Sequence, residues 1–311
     1  MTKKLPLFYF EPTILWLDDN QLFLESASNL FNLNYHCLTF LDSTKALSFL
    51  KKYEPPTDKI HFCREFIESD IFDVHNHLPI DINISEIIKL ANNIDIKNEI
   101  AVLVIDNNMP HITGVQLCHQ LKDLPFKKIL LTGETQPLAV IDAFNHGIID
   151  KYISKSENNV IEKLKEAINE LSHQYFYDRT KNLLSLLESS RFSPLSDPVF
   201  IEFFFNWQQT NSLQEFYLIN RHGSFILKNN EKKHKYLIVM TEAAKNEFLK
   251  LNTDAPIQLN QILAQVERGE LIPFFGIEKE SSDFHYHDWH KFFYNANILV
   301  GREKYYWTSL N

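Results

Sequence analysis

The side chains that could carry out chemistry stand at the ends of short apolar runs in the first half of the chain. Asp18 and Asp19 follow the first run, Asp106 follows another, Thr132 ends the next and Lys155 follows the last. If the runs are parallel strands, their carboxyl ends meet at one edge of a sheet, where open α/β sheets bind ligands. We therefore expect these side chains to share one site.

Such a group of residues favours phosphoryl chemistry on a carboxylate. Carboxylates that are brought together repel one another unless a cation neutralises them, and Mg²⁺ prefers oxygen ligands of this kind. A hydroxyl and an ammonium beside the metal would suit a phosphoryl group, whose oxygens need donors and positive charge. A carboxylate can itself be the nucleophile that accepts the group. In the simpler alternative each acid only caps a helix, which suits one position better than several in register.

The elements that must position these residues alternate along the chain. Continuous apolar strands separated by helical patterns predict a parallel sheet that is covered on both faces. The expected strands are 13–17, 35–41, 100–105, 128–132 and 151–154, and the expected helices are 20–32, 44–52, 113–123 and 136–146.

Four segments of this half carry a resemblance to a known family. They are ILWLDDN (14–20), VLVIDNNMPHITG (102–114), ILLTGE (129–134) and DKYISK (150–155). In order and spacing they resemble the receiver domain of two-component response regulators, over about residues 12–170. The resemblance implies a flavodoxin-like α/β fold with a five-stranded parallel sheet.

The resemblance also implies roles for single residues. Asp106 would be the phosphoacceptor. Asp19 and Asp106 would bind Mg²⁺ together with the backbone carbonyl of Asn108, and Asp18 would complete the acidic site.

Further residues would act on the phosphoryl group. Thr132 would hydrogen-bond to it, Lys155 would pair with it, and Tyr152 matches the aromatic switch position. The chain departs from the family at Ser156, where the usual residue is proline, and this leaves the geometry of that peptide open.

A segment at about 54–98 interrupts the alternation of strands and helices. Two helices are expected in this segment, at 58–69 and 83–93. We interpret it as an insertion into a receiver domain of residues 1–157. It would be either an added surface segment without a binding role or an interface with a second subunit of a dimer or with another partner.

A long helix is predicted over 158–188. It would lie within a linker of residues 158–190 and could serve as a connector or a dimer contact. Residues 191–311 would then form a separate output domain.

The sequence pattern of the output half predicts an α+β domain with an antiparallel sheet. EFYLIN and FILKN flank RHGS and predict a β-hairpin with Gly223 in its turn. The remaining elements are a strand at 235–240 and helices at 199–208, 241–251 and 257–268. Residues 192–311 contain 12 Lys or Arg and 14 Asp or Glu, and no helix has a basic face, so direct DNA binding is not expected.

Two features leave the output chemistry open. His285, His287 and His290 could bind a transition metal, or they could belong to an exposed or aromatic-packed turn. The aromatic side chains could be core or could line a pocket for a small ligand or a nucleotide. They are Phe203, Phe204, Trp207, Tyr217, Phe225, Trp289, Tyr305 and Trp307.

Composition narrows the class of protein. The chain has 311 residues, 44% of them hydrophobic, and a formal net charge of −9, which suits a two-domain globular protein and argues against nonspecific binding to DNA or an anionic membrane. Its three cysteines are too few and too scattered for a disulfide framework. Without an apolar stretch of about 18 residues, we expect a cytoplasmic protein with no membrane contact.

The whole arrangement also resembles the Lqs-type response regulators of quorum sensing, on the phrases LTGETQPLAVIDAFNHGIIDKYISK and EFYLINRHGSFILKN. We thus expect a phosphorelay response regulator that receives its phosphoryl group from a histidine kinase or phosphotransfer protein and forms a homodimer once phosphorylated. It would not be an enzyme beyond self-phosphotransfer and slow autodephosphorylation. The alternative is a degenerate receiver coupled to a ligand-sensing or nucleotide-processing enzyme domain.

Overall fold

The computed structural model describes residues 4–32, 35–65, 80–93, 95–133, 138–187, 193–229, 231, 233–277 and 285–311. The chain divides into two compact units, each made of separate stretches of sequence. One unit comprises Tyr9–His61 and Asn93–Thr180, and the other comprises Met1–Phe8, Phe62–Asn92 and Lys181–Asn311. We call the first the receiver unit and the second the output unit.

The receiver unit is built on a five-stranded parallel sheet, which confirms the predicted fold class. Its strands are β2 (Thr13–Leu17), β3 (His36–Phe40), β6 (Ile100–Asp106), β7 (Lys127–Thr132) and β8 (Lys151–Ser154), in the order β3-β2-β6-β7-β8. The helices are α1 (Gln21–Phe31), α2 (Ser43–Leu50), α4 (Gly114–Gln120), α5 (Leu138–Asn145) and the first part of α6 (Val160–Leu187).

The middle strands form the core because their side chains are apolar on both faces. Every residue of β2 and of β6 is buried. Leu15, Leu103 and Leu130 pack in one cluster with Leu117 of α4 and Val140 of α5. An apolar run buried on both faces is typical of a parallel sheet, so the strand ends are held firmly in place.

The long helix α6 is fastened to the edge of this sheet by ion pairs. The ammonium of Lys127 lies 2.7 Å from a carboxylate oxygen of Asp178. Lys151 of β8 likewise pairs with Glu170. The predicted span of 158–188 agrees with the observed helix to within two residues at each end.

The base of the interrupting segment is held by a buried carboxylate, Glu99, which is 0% exposed. Its oxygens accept hydrogen bonds from the Thr57 amide at 2.9 Å, the Thr57 hydroxyl at 2.7 Å and the Tyr175 hydroxyl at 2.9 Å. Burial raises the pKa of Glu99. Arg179 on the same helix as Tyr175 pairs with Asp58.

The segment itself differs from the sequence prediction in its first part. A 3₁₀ turn at Pro56–Lys59 and the short strand β4 (Cys63–Glu65) stand where a helix over 58–69 was predicted. That helix is therefore wrong over these residues, because the turn is set by the bonds between Thr57 and Glu99. Its remainder, 66–69, lies outside the described residues. The segment continues with β5 (Ile80–Ile82), which pairs with β4, the predicted second helix α3 (Ile84–Leu90) and a 3₁₀ turn at Asp95–Asn98.

The output unit contains a six-stranded sheet in the order β1-β9-β10-β11-β15-β14. Neighbouring strands from β9 to β14 in this order are antiparallel. These strands are β1 (Phe8–Tyr9), β9 (Glu215–Leu218), β10 (Phe225–Lys228), β11 (His234–Thr241), β14 (Asn297–Val300) and β15 (Lys304–Leu310). Two further strands, β12 (Leu271–Pro273) and β13 (Phe293–Asn295), pair with each other. The helices are α7 (Pro198–Thr210), α8 (Glu242–Leu251) and α9 (Asn260–Glu267).

This architecture confirms the predicted α+β class, and β9 and β10 form the predicted hairpin. Gly223 has a φ of 87° in its turn, a backbone conformation that glycine adopts without steric cost. The pairing of β1 with β9 was not predicted, and the Leu218 amide donates to the Leu7 carbonyl at 2.8 Å.

The predicted domain division differs from the compact units. The sequence pattern predicts that the interrupting segment belongs to the receiver domain, whereas its residues Phe62–Asn92 group with the output unit. The reason is packing: α3 contacts β9, and the buried ammonium of Lys228 donates to the Ala91 carbonyl. Across the part of the chain that the structure describes, no helix is long and apolar enough to span a membrane.

Candidate phosphoacceptor and metal site

Three carboxylates converge where β2 and β6 end. Ligand oxygens of Asp18, Asp19 and Asp106 all lie within 4.8 Å of one another. Asp18 and Asp106 are buried, at 2% and 5% exposure, and Asp19 is exposed. The parallel pairing of the two strands, with Leu17 opposite Ile105, brings their carboxyl ends to the same edge.

Backbone amides fix the two buried carboxylates. The Asn20 amide donates to Asp18 Oδ1 at 2.9 Å, and the Asn108 amide donates to Asp106 Oδ2 at 2.9 Å. In each case the donor lies two residues after the acid, in the turn that leaves the strand. Each carboxylate therefore has a set orientation, with its second oxygen turned toward a common cation.

That cation is the ammonium of Lys155. Its Nζ lies 2.6 Å from Asp18 Oδ2 and 2.7 Å from Asp106 Oδ1, so it bridges the two buried acids. Burial by itself lowers the pKa of Lys155, but its hydrogen bonds to Asp106 and Asp18 outweigh burial, and the pKa is raised. Lys155 therefore stays protonated at any physiological pH.

The charges of this site fit a divalent cation. Three carboxylates against one ammonium leave two negative charges within a few ångströms. Oxygen donors, two of them held by backbone amides, are the ligands that Mg²⁺ prefers in proteins. The Asn108 residue, whose carbonyl the receiver resemblance assigns to the metal, follows Asp106 in the same turn.

Thr132 and Tyr152 lie on the two strands that continue the sheet beyond β6. Asp106 pairs in register with Leu131, so Thr132 is the next residue along β7, and it is buried. The Thr132 carbonyl accepts from the Lys155 amide at 2.8 Å, which ties the two sequence-predicted residues together. Tyr152 is half-buried, with its ring edge-on to Phe144 of α5 at 5.8 Å.

The loop after Asp106 is shaped by two unusual backbone positions. His111 adopts a φ of 70°, which a residue with a side chain adopts only at some cost. Gly114 has the Asp106 carbonyl oxygen against it, and its amide donates to the Asn107 carbonyl at 3.0 Å. Thr113 then starts α4 with a capping box to Gln116.

The peptide bond before Ser156, whose geometry the sequence left open, is trans, since no peptide bond among the described residues is cis.

An aromatic ring lies beside the lysine of the site. Phe23, in the first turn of α1, has its ring centroid 4.6 Å from Lys155 Nζ. The sequence pattern predicts only a helix at Phe23, although its place four residues after Asp19 puts it on the turn that faces the acids.

The other candidate side chains that the structure describes do not converge on a second site. His285 and His290 are exposed, and the side chain of His287 lies outside the described part of the structure. Among the described side chains, the three acids are the group that could hold a metal. The aromatic candidates of the output unit pack mainly on one another, as Phe204 does on Phe216 and Phe225 at 5.0 and 4.6 Å.

One comparison with a solved structure supports this architecture over the whole chain. No family model and no curated protein matches the chain. The structure of the response regulator LqsR from Legionella pneumophila matches with a TM-score of 0.75 and 27% identity, over 100% of this chain and 90% of that one. A CheY-like receiver domain from Methanospirillum hungatei JF-1 matches at 18% identity, over 53% of this chain and 99% of that one, with a TM-score of 0.34. The likeness to LqsR thus extends over both units.

Proposed function

We propose that this protein, a response regulator with an N-terminal receiver domain, accepts a phosphoryl group on Asp106 in a Mg²⁺-dependent step. The observation that carries the proposal is the bridge from Lys155 to the buried carboxylates of Asp18 and Asp106. A lysine poised there can pair with an incoming phosphoryl oxygen while remaining beside its acidic partner.

Asp18, Asp19 and Asp106, with the carbonyl of Asn108, are the groups that would hold Mg²⁺. When bound, the metal supplies positive charge against the acids and the phosphoryl oxygens. The chain's own contribution is orientation, because the Asn108 amide already fixes the carboxylate of Asp106. A fixed nucleophile lowers the entropic part of the barrier to attack.

In the proposed step, an Asp106 oxygen attacks the phosphorus of a phosphohistidine in a kinase or phosphotransfer partner. The new bond is the aspartyl O–P bond, and the bond that breaks is the N–P bond, with the electron pair leaving on the imidazole. Lys155 and the Thr132 hydroxyl would stabilise the charge on the transferred oxygens.

The signal would leave the site through β7 and β8. Movement of Thr132 toward the phosphoryl group would open space for Tyr152, whose ring now meets Phe144. Repacking of this kind exposes a different face, here the one carrying β7, β8 and α5. We expect that face, or α6, to form a homodimer after phosphorylation.

The output unit would act by binding a protein, a small ligand or a nucleotide rather than DNA. Support comes from its slightly acidic composition, since residues 192–311 contain 12 Lys or Arg against 14 Asp or Glu. Through the likeness to LqsR, and the sequence resemblance to Lqs-type response regulators, we propose a role in quorum sensing.

The deciding experiment incubates the purified chain with acetyl phosphate and Mg²⁺ and follows intact mass and acid-labile label. We expect a single phosphoryl adduct that EDTA prevents and Asp106→Asn abolishes. The matched control is Asp142→Asn, because that carboxylate is 72% exposed on α5 and should not affect labelling. Labelling that persists in Asp106→Asn, or an unlabelled wild-type protein, would overturn the proposal.

Oligomeric state is the second measurement. Light scattering with and without beryllofluoride should show a shift from monomer to dimer that requires Asp106. A mass that does not respond to beryllofluoride would contradict the proposed dimerisation while leaving phosphorylation standing.

A further inference from the structure

An aromatic ring completes the surroundings of the bridging lysine. Phe23 lies with its ring centroid 4.6 Å from Lys155 Nζ, inside the range of cation–π attraction. Asp18 and Asp106 contact the same ammonium at 2.6 and 2.7 Å. Two carboxylates and one ring thus share a single cation.

The position of Phe23 is coupled to that of Asp18. The Asn20 amide donates to Asp18 Oδ1, while the Asn20 side chain accepts from the Phe23 amide at 3.2 Å and begins α1. One turn of chain therefore fixes both the acid and the ring. Its neighbour Leu22 is 75% exposed, whereas Phe23 is half-buried over the lysine.

A ring suits this position better than a polar side chain would. The face of the ring attracts the Lys155 ammonium. Because the ring has no hydrogen-bond acceptor, it does not compete with Asp18 and Asp106 for the ammonium protons. It also takes the place of water on its side of the lysine, and removing water strengthens the ammonium's interactions with Asp18 and Asp106.

We propose that Phe23 is a positioning residue, which holds the Lys155 ammonium against Asp106 in readiness for the phosphoryl group. This inference rests on the proposed phosphoacceptor function and adds a residue to it. Loss of the ring leaves the lysine charged but gives it more freedom and more water, so phosphorylation of Asp106 slows.

The first test measures the rate of labelling by acetyl phosphate in Mg²⁺ for Phe23→Ala, Phe23→Leu and Phe23→Trp. We expect the labelling rate of Phe23→Ala to be about fivefold lower, which is the change expected when a half-exposed cation–π contact is lost. Phe23→Leu keeps an apolar side chain without the ring and should also be slow, and Phe23→Trp should restore the rate. Leu30→Ala is the matched control, since Leu30 is 47% exposed on the same helix.

The sharper test keeps the shape of the ring and weakens only its attraction for cations. Phenylalanine carrying one, two or three fluorines is placed at position 23, and the labelling rate should fall stepwise with each fluorine. A flat series, or full activity in Phe23→Leu, would overturn the proposal.

A readout without Mg²⁺ or phosphate separates this inference from the proposed function. The ammonium signal of Lys155, assigned with Lys155→Arg, is followed by ¹⁵N NMR in metal-free protein. We expect faster proton exchange and a changed shift in Phe23→Leu and in the trifluorinated protein. If the wild type took no label but these signals moved, the phosphoacceptor function alone would fail. If the wild type labelled and neither rate nor signal moved, the role of Phe23 would fail.

Discussion

Gly114 lies directly against the backbone carbonyl of Asp106, so closely that a Cβ built on the glycine would come within 2.5 Å of that oxygen. The same Cβ would come within 2.6 Å of the Leu130 side chain on β7. The loop that carries Asp106, the proposed phosphoacceptor, therefore closes onto the start of α4 only because position 114 has no side chain.

Replacing Gly114 with alanine should move the Asp106 turn, because the backbone oxygen cannot yield as a flexible side chain would. We expect the free energy of unfolding to fall by about 1–3 kcal/mol and labelling by acetyl phosphate to slow. Urea unfolding measures the first effect. Gly133→Ala is the control, since a Cβ there would meet nothing within 4 Å. Equal stability of the two variants would contradict the close approach.

Asp19→Asn should have opposite effects on the metal-free and the metal-bound protein. Its carboxylate lies within 4.8 Å of two others, so removing its charge relieves repulsion and should raise the metal-free unfolding free energy by about 1 kcal/mol. The stabilisation that Mg²⁺ gives the wild type should shrink, because a ligand charge is gone. Urea unfolding in EDTA and in Mg²⁺ measures both, with Asp142→Asn as a charge-matched control. A loss of stability in EDTA would argue against repulsion among the acids.

The buried Glu99 should make stability depend on pH in a defined direction. Burial raises its folded pKa above the ordinary value of 4.5. The folded state then binds a proton that the unfolded state has released, so the contribution of Glu99 to stability is fully present below pH 4.5 and is lost as the pH rises through the folded pKa. Glu99→Gln should flatten that decline in urea titrations, whereas the exposed Glu166→Gln should leave it unchanged. An unaltered slope in Glu99→Gln would mean that another group causes it.

Ser212 occupies a position that suits glycine. It has a φ of 51° after α7, where the Ser212 and Leu213 amides donate to the Gln209 and Gln208 carbonyls, the pattern of a Schellman cap. Ser212→Gly should therefore raise the free energy of unfolding of the output unit by about 0.5–1 kcal/mol. Ser185→Gly, inside α6, should lower stability by a similar amount. Thermal unfolding of both variants checks the contrast, and a shift of the same sign in both would contradict it.

The receiver fold and the convergence of its polar residues could be predicted because both follow from local patterns in the sequence. An apolar run buried on both faces is readable in sequence, as in β6, and its end identifies the residue at the sheet edge. Because the carboxyl ends of parallel strands lie at one edge of the sheet, Asp18, Asp106 and Lys155 can be placed together without knowledge of side-chain geometry. What remained open was the partner of each group, such as the bridge that Lys155 makes.

Other features depend on contacts between distant residues, for which the sequence carries no periodic signal. The ring of Phe23 meets a lysine that follows the last strand of the sheet. The first strand is only two residues long, and its place is decided by a partner near Leu218. The turn at Thr57 forms because Glu99 accepts its hydrogen bonds, whereas the sequence predicts a helix over 58–69.

The division of the chain into units has a consequence for its biosynthesis. The boundaries fall after Phe8, His61, Asn92 and Thr180, so the two units alternate along the polypeptide. The ribosome synthesises the residues of β1 and α3 well before those of β9, the strand that both contact. These segments can therefore reach their native packing only after the C-terminal half has been synthesised. No single cut leaves either unit whole, so this receiver cannot be exchanged for another by joining two coding sequences end to end.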